Sequence, residues 1–213
     1  MTVSFFVQND ASKKSSIKFG SYDQIGLKPG SKLELIRTPD KGSWDLRANF
    51  IEIGTEKLAE ASMIRFEPQL PYLYLPRTYY RAFVEAIQKL YSDESLYGDK
   101  DICDETENIC RFDAPCDEVD KKKIEFGIRI YDEERDIHYK IDWSEMYLSG
   151  EHFGGNGDEC YIPVFDHGKS KDSDANLVYV GNLFLKKYYV VFDLSTLEKD
   201  LDYIQVGIGE RND

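Results

Sequence analysis

The stretch "RFEPQLPYLYLP", residues 65–76, decides how this chain is read. It continues "SMIRFE" (62–67), where apolar and polar residues alternate with the period of a half-buried strand. Pro68 and Pro71 then break the alternation and mark a tight turn. "YLYL" (72–75) resumes it as a second strand. After Pro76 the run "RTYYRAFVEAIQKLY" is rich in helix formers, with Tyr79, Phe83, Ile87 and Leu90 at helical spacing. One acid, Glu67, stands at the turn. The functional question is whether Glu67 is a catalytic carboxylate or marks where one has been lost.

Outward from this unit the chain reads as strands. They are "VSFFV" (3–7), "SIKFG" (16–20), "KLELIR" (32–37), "WDLRANFIEIG" (44–54), "KIEFGIRIY" (123–131), "IHYKID" (137–142), "CYIPVFD" (160–166), "NLVYVG" (176–181), "KYYVVFDL" (187–194) and "YIQVGIG" (203–209). Turn signals separate them, among them "PG" at 29–30, "DKGS" at 40–43 and "GGNGD" at 154–158. Many short strands with one main helix give an all-β architecture. Segment 92–122 is acidic and cysteine-bearing and reads as a surface loop. "DHGKSKDSDAN" (166–176) reads as a solvated loop, since it lacks the spacing and glycine of a calcium-binding loop. "HFGGNGDE" has neither the lysine nor the following helix of a phosphate loop.

With 213 residues the chain is long enough for one substantial core, and 41% hydrophobic residues make it globular. A net charge of −13 argues against nucleic acid and anionic membrane as partners, because both would repel it. No apolar run has the length of a membrane span, and "MTVSFFVQND" lacks the basic start and apolar length of a signal peptide. The four cysteines are Cys103, Cys110, Cys116 and Cys160. Their even number in a loop-like stretch favours two disulfides and an oxidising compartment. Free thiols and a metal site remain alternatives, although the spacings are long for zinc and His138, His152 and His167 are scattered.

Several segments together resemble the C-terminal lobe of pepsin-like aspartic peptidases (family A1). "VSFFVQNDASKKSSIKFG" resembles the lobe's opening hairpin, and "GSWDLRANFIEIG" its "xYWxxxLxxIxVG" strand pair. "YLYLPRTYYRAFVEAIQKL" resembles the "SxLxLP" strand with the helix after the active-site loop. "CDEVDKKKIEFGI" and "YKIDWSEMYL" follow in the family's order. "LVYVGNLFLKKYYVVFDL" is similar to the signature "xILGDxFLRxYYVVFD", with Gly181 in the position of its glycine. The resemblance implies one pepsin-like lobe over residues 1–213, with the 92–122 loop carrying cysteines. It also implies disulfides Cys116–Cys160 and, for the remaining pair, Cys103–Cys110.

Counting back from Pro76, Glu67-Pro68-Gln69-Leu70-Pro71 falls where the family has Asp-Thr-Gly-Thr/Ser-Ser. A pepsin-like site uses two aspartates, one from each lobe, sharing a proton across a bound water. Glu67 is one methylene longer, which moves its carboxylate by about 1.5 Å. Pro68 lacks the threonine hydroxyl and a backbone N–H. Gln69 replaces a glycine that allows close backbone approach, and Leu70 and Pro71 remove two hydroxyls. Neither Asp-Thr-Gly nor Asp-Ser-Gly occurs anywhere in the sequence.

The resemblance therefore implies a non-catalytic pepsin-like lobe used for binding or as a structural subunit. The competing reading is an aspartic endopeptidase, or half of one, active when paired with a second lobe. No metal and no cofactor are implied. A protein partner is expected: a second copy closing a dimer, a larger complex, or a separate N-terminal lobe. In the family the terminal strands help to join the lobes, so "VSFFV" and "YIQVGIG" are expected to present open edges. The compartment is secretory, vacuolar or lysosomal if the disulfides form and Met1 is not the native start, and intracellular otherwise.

Overall fold

The structure is a computed structural model that describes residues 1–7, 14–91, 102–104, 106–119, 125–132, 135–142, 145–168, 176–199 and 201–212. Strands dominate it. Thr2–Phe6 (β1), Ser16–Phe19 (β2), Glu34–Arg37 (β3), Tyr188–Asp193 (β15) and Gln205–Glu210 (β16) form an antiparallel sheet in the order β2-β1-β15-β16-β3. Asp45–Ile53 (β4), Glu56–Phe66 (β5), Leu73–Leu75 (β6), Glu125–Asp132 (β9), Arg135–Asp142 (β10), Val164–Asp166 (β13) and Leu177–Val180 (β14) form a mixed sheet in the order β10-β9-β4-β5-β14-β6-β13. A smaller sheet joins Cys103–Asp104 (β7), Ile109–Phe112 (β8), Leu148–Ser149 (β11) and Cys160–Ile162 (β12) in the order β11-β12-β8-β7.

The alternation seen in the sequence is the burial pattern. In β4, Leu46, Ala48, Ile51 and Ile53 are buried, and the phase changes between Ala48 and Ile51 where a bulge interrupts the pairing with β9. β5 begins earlier than "SMIRFE" suggests, because Gly54, at φ 56°, turns β4 directly back into a hairpin. The two larger sheets meet through aromatic rings. Trp44 packs edge-on against Phe192 at 4.9 Å, and Tyr139 against Tyr188 at 5.2 Å. The Tyr188 hydroxyl donates to the Lys140 carbonyl (2.7 Å) and accepts from the Lys140 N–H (2.9 Å), linking β15 to β10. Burial pushes that phenol up to about 12.

The helix Arg77–Tyr91 (α1) starts where expected, with the Pro76 carbonyl accepting from the N–H groups of Tyr79 and Tyr80. Its buried stripe is Tyr80, Phe83, Val84, Ala86, Ile87 and Tyr91, with Tyr79 and Leu90 half-buried at its margins. α1 leans on β5, β6 and β13. Tyr91 also packs edge-on against Phe112 of the smaller sheet at 4.9 Å.

Three expectations change. "CYIPVFD" is two strands in different sheets, β12 and β13, because Pro163 lacks the N–H that a continuous ladder needs. The described part of 92–122 is more than a surface loop. It holds the β7–β8 hairpin and the short helix Cys116–Val119 (α2), and it buries Cys110, Phe112 and Val119. The terminal strands do not present open edges: β1 lies between β2 and β15, and β16 between β15 and β3. The outer strands are β2 and β3, contributed by residues that follow β1 in sequence.

All four cysteines are bonded, Cys103 to Cys110 and Cys116 to Cys160. Cys103 and Cys110 face each other across the β7–β8 ladder. Cys116–Cys160 fastens α2 to β12. Most of the 166–176 loop lies outside the described residues. Among the described residues no helix is long and apolar enough to cross a membrane.

Candidate functional site

β14 lies between β5 and β6, parallel to the first and antiparallel to the second. The link from β5 to β6 must therefore pass over the end of β14. Residues 67–71 are that link. The Leu70 N–H donates to the Glu67 carbonyl (3.0 Å), closing a turn around Pro68 and Gln69. The Glu67 N–H donates to the Val180 carbonyl (3.0 Å) at the end of β14. On the far side the N–H groups of Gly181 and Asn182 donate to the carbonyls of Tyr72 (3.0 Å) and Leu70 (2.7 Å). The turn is thus laced to β14 from both flanks.

Gly181 is required sterically. Its φ of −92° suits any residue, but a β-carbon there would meet the carbonyl oxygens of Leu70 and Tyr72 at less than 3.0 Å. Glycine at this position lets the turn sit directly on the chain beneath it. Asn182–Leu185 (α3) begins at once, and its buried Leu183, Phe184 and Leu185 anchor this end of β14 in the core.

Glu67 is half-buried and accepts from the Gln69 side-chain amide at 3.2 Å. Arg65, two residues earlier in β5, is already committed: its guanidinium grips the Asp45 carboxylate through Nε (2.6 Å) and Nη2 (2.8 Å). This paired hydrogen bonding raises the Arg65 pKa, with Tyr179 and Glu67 adding smaller electrostatic support. Neither Asp45 nor Arg65 stood out in the sequence. They are directly opposite one another across the β4–β5 ladder, a relation that appears once the register is known.

Two concavities flank the turn. One, of about 530 Å³, is lined by Val3, Phe5, Trp44, Phe66, Glu67 and Pro68. The other, of about 710 Å³, is lined by Phe5, Ile17, Glu67, Pro68, Gln69 and Asn182. They share Phe5, Glu67 and Pro68, so a trough of mostly apolar character runs under the turn. A third concavity, of about 670 Å³, lies elsewhere between the Lys28–Glu210 (2.9 Å) and Lys187–Glu145 (2.7 Å) ion pairs.

Chemically, the turn offers one carboxylate with one amide beside it. Such a group can accept a proton or bind a cation. Water activation by a carboxylate pair needs a second acid within a shared hydrogen bond, and Glu67's hydrogen bond leads to an amide. Among the described residues no three His, Cys, Asp or Glu side chains converge as a metal site.

Two sheets held over a mixed ladder, with a turn laced across the end of an inserted strand, make an all-β lobe of the pepsin-like kind. The family model for eukaryotic aspartyl proteases matches residues 2–201, and the chain belongs to that family. A comparison with curated proteins finds no match.

Proposed function

We propose that this lobe does not cleave peptide bonds by itself and acts as a binding or structural subunit. The observation that carries the reading is the Glu67 turn. Counted back from Pro76 on the resemblance, its sequence, Glu-Pro-Gln-Leu-Pro, falls where the family has Asp-Thr-Gly-Thr/Ser-Ser. The longer side chain of Glu67 displaces the carboxylate, and a misplacement of about 1 Å costs on the order of 100-fold in rate. Pro68 has neither a hydroxyl nor an N–H with which to tie this turn to a second one. The supporting hydrogen bonds that hold a catalytic acid are the part hardest to replace.

The half-buried apolar trough beside Glu67 supports contact with another polypeptide. It equally favours a second reading, in which the chain is half of an aspartic endopeptidase that becomes active on pairing with a lobe bearing its own aspartate. The two disulfides are compatible with a secretory or lumenal compartment, which we take as the site of action.

Incubation of the purified chain with a denatured protein at acidic pH, with and without an aspartic-peptidase inhibitor, separates the readings. No inhibitor-sensitive cleavage is expected. Cleavage that disappears in Glu67→Gln overturns the proposal.

A further inference from the structure

We propose that Asn156 is a site of spontaneous covalent modification: the Gly157 backbone nitrogen displaces the Asn156 side-chain amide, leaving aspartate and isoaspartate at position 156. The inference is independent of the binding reading above.

The first observation is the sequence. Asn-Gly occurs once in the chain, at Asn156-Gly157. Every other asparagine is followed by Asp, Phe, Ile or Leu. A side chain on the following residue crowds the nitrogen that must approach the amide carbon, and glycine has none.

The second observation is the geometry. Both residues are exposed, in the loop between the helical turn Gly150–Phe153 and β12. The Asp158 N–H donates to Asn156 Oδ1 at 3.3 Å. A turn of this kind folds the amide back along its own main chain and holds the amide carbon beside the Gly157 peptide. The space around Gly157 is open: a β-carbon built there would meet only Glu151 Oε1, at 3.6 Å.

The chemistry needs only water. The Gly157 nitrogen bonds to Asn156 Cγ and the Cγ–Nδ2 bond breaks. Nδ2 leaves as ammonia, taking the proton from the Gly157 nitrogen. Water then opens the resulting succinimide at either carbonyl. Opening at Cγ leaves aspartate in a normal chain. Opening at the backbone carbonyl leaves isoaspartate, whose main chain runs through the side chain and is one methylene longer. The net change is one water consumed and one ammonia released.

The fold gives the isoaspartate a structural consequence. The Asn156 carbonyl lies so close to Gly150 that a β-carbon on Gly150 has no room. The Gly150 N–H donates to the Glu159 carbonyl (2.8 Å), and the Gly155 N–H to the Gly150 carbonyl (2.9 Å). A longer main chain at 156 pushes on these contacts. They seat the helical turn whose Phe153 ring packs against Tyr161 at 4.6 Å and Tyr72 at 5.7 Å. Tyr72 directly follows the 67–71 turn. The new carboxylate also joins Glu151, Asp158 and Glu159 in the same loop.

The test incubates the full chain, and a synthetic peptide of residues 151–159, at neutral pH in heavy-oxygen water, and maps the products by mass spectrometry. Aspartate and isoaspartate are expected at position 156 of the native chain, with the other asparagines intact. Gly157→Ala is expected to slow the reaction by about tenfold in chain and peptide alike. The isolated isoaspartate form is expected to unfold at lower urea than the unmodified chain. Asn156→Asp, which adds the charge without the methylene, is expected to keep most of the midpoint. An Asn156 that stays intact in the native chain while the peptide converts overturns the proposal, as does an undiminished rate in Gly157→Ala. An isoaspartate form with the unmodified midpoint overturns the consequence drawn from the Gly150 contact.

Discussion

Gly181 lies against Leu70, with no room for a β-carbon between its backbone and the carbonyl of the turn. A methyl group added there must push the 67–71 turn off the end of β14. The hydrogen bonds from the N–H groups of Gly181 and Asn182 would lengthen together. Gly181→Ala is therefore expected to destabilise the fold by about 1–3 kcal/mol, as overpacking does elsewhere. Urea unfolding measures this directly. An unchanged midpoint would mean that the turn moves without resistance.

The sheet face at His138 gives a pH dependence. His138 Nε2 stands 2.8 Å from Glu52 Oε1 without the alignment of a hydrogen bond. Burial lowers the His138 pKa from its ordinary value near 6.5, Arg129 and Lys140 lower it further, and Glu52 and Glu125 oppose them. The folded chain thus takes up a proton at lower pH than the unfolded one. By linkage the His138 contribution is fully present above pH 6.5 and fades as pH falls through the lower, folded value. Unfolding midpoints across this range should fall with acidification. His138→Gln is expected to remove that part of the slope, and an unaltered slope would locate it elsewhere.

Much of this was legible in the sequence because it rests on local patterns. β4, β6, α1 and β15 follow from alternation and helical spacing, and the β5–turn–β6–α1 unit follows from where the prolines stand. The strand order was not legible, since pairing is decided by contacts distant in sequence. β1 and β16 were expected at open edges for that reason, whereas β15 lies between them and β2 and β3 flank them. The β7–β8 hairpin was hidden by its acidic composition. Its stability comes from the Cys103–Cys110 bond and the burial of Phe112, which no periodicity reports. At the site, Glu67 and its turn were visible, while Trp44, Phe5 and the Asp45–Arg65 pair are brought there by tertiary packing.

The two disulfides are expected to differ in weight. Cys116–Cys160 spans 44 positions and Cys103–Cys110 spans 7. On the chain-entropy account the long closure stabilises by about 4 kcal/mol and the short one by about 2.5 kcal/mol. Cys116→Ala with Cys160→Ala should therefore lower the unfolding midpoint more than Cys103→Ala with Cys110→Ala. Non-reducing peptide mapping of the native chain provides the control. Detection of free thiols or of a Cys110–Cys160 link would contradict the pairing.

The Asp45–Arg65 pair ties the stability of the sheet to the charge of the site. The two residues face each other across β4 and β5, and Glu67 follows Arg65 by two positions, just past the end of β5. Asp45 side-chain exposure is 13% and that of Arg65 is 34%, so solvent screens the pair in part. Asp45→Asn should accordingly cost about 1 kcal/mol, at the modest end for a charge-assisted contact. Its second effect is electrostatic. Without the Asp45 carboxylate the guanidinium is free to turn toward Glu67, two residues further along the chain. Arg65→Gln removes the same contact and should cost a similar amount. A double-mutant cycle read by urea unfolding isolates the coupling between the two residues. A coupling energy near zero would mean that the two side chains stabilise the fold independently of their contact.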